Sequence, residues 1–232
     1  MAEERGIIKG LYIPKETDPE AFTSRRQAGE LLAEKLSGKV EESAVVLGIL
    51  RGGLVVAEPI AHKYNLPLNF ITVKKLRAPG NPELAIGAIA PDNNIFIDYS
   101  TIQSNNAGKK YIEREIAVRT QELITQEEKL RQTIPTPDLK NRPVILVDDG
   151  IATGSSIAVA LIYLKKQAVG KIILAAPIVA EDSAQGFRAD LRVEACIFLK
   201  EIPVSTFAVG DYYQDFTQVS DEEVIAILSQ NQ

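Results

Sequence analysis

The chain has 232 residues, 45% of them hydrophobic, enough to bury one large core. A formal net charge of −5 offers no general surface for nucleic acid. One cysteine, Cys196, and one histidine, His62, exclude a disulfide framework, a Cys–His nucleophile pair and a zinc cluster, and fit a reducing cytosol.

The first ten residues, MAEERGIIKG, lack the apolar stretch of a signal peptide, and no apolar run reaches the ~20 residues of a membrane helix. A cytoplasmic protein without a membrane partner is expected. Residues 1–19 read as irregular, broken by Pro14 and Pro19. A helix follows from Ser24 to Leu36, with Ala28, Leu31, Leu32 and Leu36 as its apolar stripe and Gly38 closing it. Ala44–Leu50 (AVVLGIL) reads as a buried strand that runs into Leu50-Arg51-Gly52-Gly53 and a helix to about Tyr64, kinked or started by Pro59. Leu68–Val73 is a further strand, ending in the cations Lys74, Lys75 and Arg77. Pro79, Gly80, Asn81 and Pro82 mark a loop, and Ala85–Ala90 with Asn94–Asp98 suggest a hairpin.

Ser104–Arg131 reads as one long helix, with Glu115–Arg119 and Glu127–Arg131 spaced for ion pairs and a narrow apolar stripe of Ile112, Ile116, Leu123 and Leu130. Pro135–Pro143 connects it to the most informative stretch, Val144–Ser156 (VILVDDGIATGSS). Its four β-prone residues suit a strand buried on both faces. Asp148 and Asp149 stand at the carboxyl end of that strand. Gly150, Thr153, Gly154, Ser155 and Ser156 then lead into a helix with Ile157, Ala160, Leu161 and Leu164 on one face, ended by Gly170. Free amides and hydroxyls at a helix N-terminus suit a phosphate. The two carboxylates would accept hydrogen bonds from vicinal hydroxyls or hold Mg²⁺ near the ligand, so a sugar phosphate satisfies both halves. Lys171–Ala180 and Val193–Leu199 supply two more strands. The alternation predicts an α/β, doubly wound, mainly parallel sheet, with ligands beyond the carboxyl ends of its strands.

The stretch resembles the 5-phosphoribosyl-1-pyrophosphate (PRPP) motif of type I phosphoribosyltransferases, and the resemblance runs from about Phe22 to Asp221. More narrowly, LRGG, KKLRAPGNPELAIGA (Lys74–Ala88), VDDGIATGSS and FAVGDYYQDF (Phe207–Phe216) together resemble a group of bacterial phosphoribosyltransferases without an assigned acceptor. The resemblance implies a single domain over 1–232, with a core at about 22–200, a small C-terminal hood at about 201–219 and a terminal helix at 220–229. It implies that Gly150, Ile151, Ala152, Thr153, Gly154, Ser155 and Ser156 cradle the 5′-phosphate. Asp148 and Asp149 would hold the ribose hydroxyls and, through PRPP, Mg²⁺. Leu50, Arg51, Gly52 and Gly53 would bind pyrophosphate around a non-proline cis peptide at Leu50–Arg51. Lys74, Lys75 and Arg77 would meet the leaving pyrophosphate, beside a mobile loop from Arg77 to about Pro91. Phe207, Val209, Asp211, Tyr212 and Tyr213 would form the hood over the acceptor, with Phe207, Tyr212 and Tyr213 either stacking on it or packing into the local core.

The implied reaction displaces pyrophosphate from C1 of PRPP·Mg²⁺ by a nitrogen nucleophile on a small-molecule acceptor, in a chain that forms a homodimer. Two other readings stay open: a non-catalytic PRPP or nucleotide sensor, and a PRPP hydrolase. In hypoxanthine/guanine-type relatives an Asp precedes the Thr-Gly of the motif; here the residue is Ala152. Glu83 or Asp98 would be the substitute carboxylates.

Overall fold

The computed structural model describes residues 21–105, 107–203 and 208–231. The irregular reading of residues 1–19 lies outside these. Five strands form one parallel sheet in the order β2-β1-β6-β7-β8: β1 (Val45–Ile49), β2 (Leu68–Ile71), β6 (Val144–Val147), β7 (Ile172–Ala180) and β8 (Ala195–Ile202). Successive side chains of a strand point to opposite faces. Val45, Leu47, Val144 and Leu146 accordingly pack on one side with helix α5 (Ser155–Lys166) and α6 (Glu181–Arg188). Val46, Ile145 and Val147 pack on the other with α1 (Arg25–Lys35), α2 (Gly52–Tyr64) and α7 (Asp221–Gln230). Both faces are covered at β1, β6 and β7, which is why these strands read as near-continuous apolar runs.

Several expectations change in detail. Leu31 is exposed; the inward row of α1 is Ala28, Leu32 and Leu36, spaced by four. The chain after β2 does not continue as one strand into the cations. It breaks at Thr72–Val73 and starts a separate antiparallel sheet of β3 (Lys74–Ala78), β4 (Asn81–Ala90) and β5 (Asn94–Ile97). The loop marked by Pro79 and Gly80 is the turn of a β-hairpin between β3 and β4, in which Leu76, Ala78, Ile86 and Ile89 pack with Leu123. The long helix is two: α3 (Tyr99–Ser104), capped by Asp98, and α4 (Lys109–Arg131), with extended Gly108 as its N-cap. Both anticipated ion pairs form on α4. Helix α5 stops at Lys166 rather than Gly170, because Ala168 turns left-handed at φ 50°. No element was read over 181–192, where α6 lies. Among the described residues no helix is long and apolar enough to cross a membrane.

The chain leaves β1 toward β2 on one side and β6 toward β7 on the other, so a crevice opens at the carboxyl ends of β1 and β6. Close docking of α2 shapes this crevice. A Cβ on Gly48 would lie 2.7 Å from the Leu54 nitrogen, so only glycine admits the first turn of α2 there. Gly48→Ala should push α2 off the sheet and cost about 1–3 kcal/mol, read as a lower urea midpoint at unchanged m-value. An unchanged midpoint would refute the contact.

Candidate active site

Where β6 ends, its backbone passes directly to Asp148 and Asp149, and α2 begins against them. A Cβ on Gly53 would lie 2.7 Å from the Val147 carbonyl and 2.9 Å from the Asp148 Cα, and one on Gly52 would strike the Asp149 carboxyl. These two glycines thus seat the helix against the acid pair; their smallness serves the protein's own packing. The Leu50–Arg51 peptide before them is cis.

The two acids live in different surroundings. Asp149 Oδ2 accepts from Arg25 Nε at 2.7 Å, in a pair only 11% and 17% exposed. The same Arg25 donates to the Thr217 carbonyl at 2.9 Å and lies over the Phe216 ring at 3.8 Å. Asp148 has no such cation at contact distance among the described residues; its Oδ1 accepts the Asp149 N–H at 2.9 Å. Burial, then the Asp149 charge, push the Asp148 carboxyl well above the ordinary carboxylate range, against the pull of the Asp149 N–H and of Lys75.

The following loop is held by its middle. Ile151 forms an isolated bridge to Val179, donating to the Ile178 carbonyl at 2.9 Å while its own carbonyl accepts from Ala180 at 2.8 Å; its side chain is buried. Ser183 of α6 donates to the Ala152 carbonyl at 2.6 Å. Gly154 then turns left-handed (φ 74°) and α5 starts at Ser155. Its first-turn amides have no intrahelical acceptor. Thr153 is exposed, Ser155 is buried with its hydroxyl 3.3 Å from that of Thr153, and Ser156 faces the crevice.

A cavity of about 750 Å³ fills the crevice and brings together Leu50, Arg51, Gly52, Lys74, Lys75, Arg77, Asp148, Asp149, Gly150, Ala152, Ser156 and Val209 from the predicted set. Gly53, Ile151, Thr153, Gly154 and Ser155 do not line it. Lys74 loses proton affinity through burial first; Glu122 opposes this, while Arg51 and Arg119 add to it.

The hood divides. Val209 sits against Gly150 and lines the cavity. Tyr213, expected as a stacking residue, is instead 2% exposed, stacked on Phe216 and tilted against Phe22, with its hydroxyl donating to the Asp149 carbonyl at 2.7 Å. Burial, then Asp149, push its phenol above the ordinary tyrosine range. Asp211 and Tyr212 lie in the short 3₁₀ turn Val209–Tyr212, outside the cavity lining. Phe207 lies outside the described residues. Asp98 is spent capping α3 through Thr101, and the Glu83 side chain lies outside the described residues.

Arg25, Arg119, Glu122 and Phe216 were given no site role from the sequence, nor were the lining residues Ile49, Val73, Ala208 and Gly210. Arg119 had its spacing from Glu115, which spoke of the helix alone, and Phe216 closes the FAVGDYYQDF segment, where it was given no role.

The Asp148 asymmetry has a measurable consequence. In the unfolded chain Asp148 titrates in the ordinary range, so the folded state binds that proton more tightly and stability falls as pH rises between the two values. Without ligand, Asp148→Asn should therefore melt higher than the wild type at pH 8, the gap closing as the pH falls toward the ordinary carboxylate range. Equal melting temperatures at pH 8 would count against the strained carboxyl.

Comparison with known proteins adds independent weight. The model of the phosphoribosyl transferase domain matches residues 22–214. Proteins from two Mycobacterium tuberculosis strains, provisionally named phosphoribosyl transferases, are 34% identical over 210 residues, covering 89% of this chain and 46% of theirs. The chain thus spans about half the length of the curated relatives it matches. The crystal structure of TT1426 from Thermus thermophilus is 38% identical with a TM-score of 0.72, covering 90% of this chain and 98% of that one. A Neisseria gonorrhoeae protein with a TM-score of 0.51 and 12% identity shares the fold alone, over 94% of this chain and 99% of its own. With a parallel sheet that opens at β1 and β6, an acid pair at its crevice and a domain match over most of its length, this chain belongs to the phosphoribosyl transferase domain family.

Proposed function

We propose that this chain transfers a phosphoribosyl group from PRPP to a nitrogen nucleophile on a small-molecule acceptor, releasing pyrophosphate. The observation that carries the reading is the meeting, on one cavity, of a helix N-terminus, an acid pair and four cations: Ser156, Asp148 with Asp149, and Arg51, Lys74, Lys75 and Arg77. A sugar carrying a phosphate at one end and a diphosphate at the other matches that division of charge. The amides at the start of α5 and the Ser156 hydroxyl would take the 5′-phosphate. Among the described residues, one oxygen of Asp148 accepts the Asp149 N–H and one of Asp149 accepts from Arg25; the carboxyls would turn a further lone pair to a ribose hydroxyl. The cations would neutralise the diphosphate as its negative charge grows on departure, an effect concentrated in the transition state. The acceptor would enter beside Ala152 and Val209.

Mg²⁺ fits this site as a companion of the substrate. Among the described residues no group of three or more His, Cys, Asp or Glu side chains can hold a metal alone. Asp148 and Asp149 would hold the ion indirectly, through the ribose and diphosphate oxygens of bound PRPP. Bound there, it would supply charge neutralisation for the diphosphate.

Asp148→Asn combined with Asp149→Asn keeps the shape and removes both charges. PRPP affinity should fall about tenfold or more while the fold survives. A calorimetric titration with unchanged affinity would sink the ribose assignment.

Ala152 bears on the acceptor. Its methyl group can neither take a proton nor bond a 6-oxopurine, and a positioned general base contributes roughly 10²–10⁴ in rate. Hypoxanthine and guanine should be at least about 100-fold less efficient than the true acceptor. The test is pyrophosphate release from PRPP with adenine, hypoxanthine, guanine, xanthine, uracil, orotate and simple amines. Release that requires one acceptor supports transfer. Release without any acceptor means hydrolysis, tight PRPP binding without release means a sensor, and hypoxanthine or guanine as best substrate overturns the Ala152 argument.

A further inference from the structure

One guanidinium in the cavity wall has no place in the scheme above. Arg119 comes from the middle of α4, yet it lines the same cavity as Lys74, Lys75 and Arg77. Long cationic side chains on a helix surface ordinarily extend toward water. The Arg119 side chain is instead only 14% exposed. It is held by the nearly buried Glu115, whose Oε1 accepts both Arg119 Nε at 2.8 Å and the Arg77 N–H at 3.1 Å. Tyr111 adds a bond to the Arg77 carbonyl at 3.0 Å. One carboxylate therefore sets the position of Arg119 relative to strand β3 and its cations.

The other partner is different. Arg119 Nη1 donates to both oxygens of Glu122, at 2.6 and 2.7 Å, but the Glu122 side chain is 44% exposed. Glu115 is a fixed anchor, whereas Glu122 can swing into water with little loss of packing. A half-exposed ion pair is a weak bond, while a guanidinium meeting a phosphate forms strong, two-pronged ones. Arg119 thus has one face locked and one face occupied by a replaceable carboxylate. The same carboxylate lies in the field of Lys74, so it offsets more than one cation of this wall.

We infer that Arg119 is a diphosphate-binding residue supplied by α4, and that Glu122 is the counter-ion it exchanges for the diphosphate. This rests on the phosphoribosyltransferase reading, in which the Arg51–Lys74–Arg77 wall takes pyrophosphate.

The test is calorimetric titration of the full chain with Mg²⁺-pyrophosphate and, separately, with ribose 5-phosphate, for wild type, Arg119→Gln and Glu122→Gln. Arg119→Gln should weaken pyrophosphate binding about tenfold or more and leave ribose 5-phosphate within about twofold, because one charge-assisted contact is lost at one end only. Glu122→Gln should tighten pyrophosphate about threefold or more, since the competing charge is gone. Because Glu122 also offsets Lys74, the same change is made in the Arg119→Gln background, where the gain should shrink; an equal gain in both backgrounds would overturn the exchange. Pyrophosphate affinity within about twofold of wild type in Arg119→Gln, or an equal loss of both ligands, would overturn the inference. If Arg119→Gln does not fold, Glu122→Gln decides alone: affinity at or below wild type overturns the exchange. A wild type that binds neither ligand overturns the phosphoribosyltransferase reading itself.

Discussion

Helix α2 starts in contact with the end of β6: at Gly53 a side chain would press on the Val147 carbonyl and the Asp148 backbone. Parallel neighbours β1 and β6 send their following helices to opposite faces, so their two loops could diverge. The glycines at 48, 52 and 53 prevent this by removing the atoms that would hold α2 away. The Leu50–Gly52 turn then lies alongside Asp148–Gly150, and Arg51 of one loop shares a cavity with the carboxylates of the other. Every further feature of the site attaches to this docking.

Asp149 is where the hood is tied down. Its carboxylate holds Arg25 from the first turn of α1, its carbonyl takes the Tyr213 hydroxyl, and Arg25 in turn covers Phe216 and bonds Thr217. Phe22 and residues 212–214 are stitched together by backbone bonds as well, Phe22 N–H to the Tyr212 carbonyl at 2.9 Å and Gln214 N–H to the Phe22 carbonyl at 2.8 Å. A charge taken from water must be paired to be tolerated, and Arg25 does this for Asp149. Asp148, one residue earlier, is left without that compensation. Adjacent identical side chains thus differ in their partners, Asp149 paired with a guanidinium and Asp148 held by a backbone N–H.

The cations of the opposite wall come from a local concentration within an acidic chain. Arg51, Lys74, Lys75, Arg77 and Arg119 share one cavity edge although the net charge is −5. The wall is assembled from three elements: the β1–α2 turn, strand β3 and helix α4. Acids temper it at its outer rim, where Asp221 lies 3.7 Å from Arg51 and accepts from Gln126 and Lys129. Such pairs keep a cationic pocket compatible with a folded, ligand-free protein.

By itself the sequence determined what depends on near neighbours in the chain. Apolar runs announced the buried strands at Val144–Val147 and Ala44–Leu50, and all five strands read from the chain appear in the parallel sheet. The strand–acid–acid–Gly–Thr–Gly–Ser order announced a turn into a helix, and i,i+4 spacing announced the α4 ion pairs. Tertiary structure alone decided what depends on distant partners. Arg25 reaches Asp149 across 124 positions, and no local pattern encodes that meeting. The Pro-Gly-Asn-Pro segment reads as a loop; that it turns the β3–β4 hairpin is decided where Leu76, Ala78, Ile86 and Ile89 pack with Leu123. Tyr213 reads as a free aromatic until Phe22, Phe216 and the Asp149 carbonyl enclose it. Periodicity records which face of an element is buried; it holds no record of which distant element does the burying.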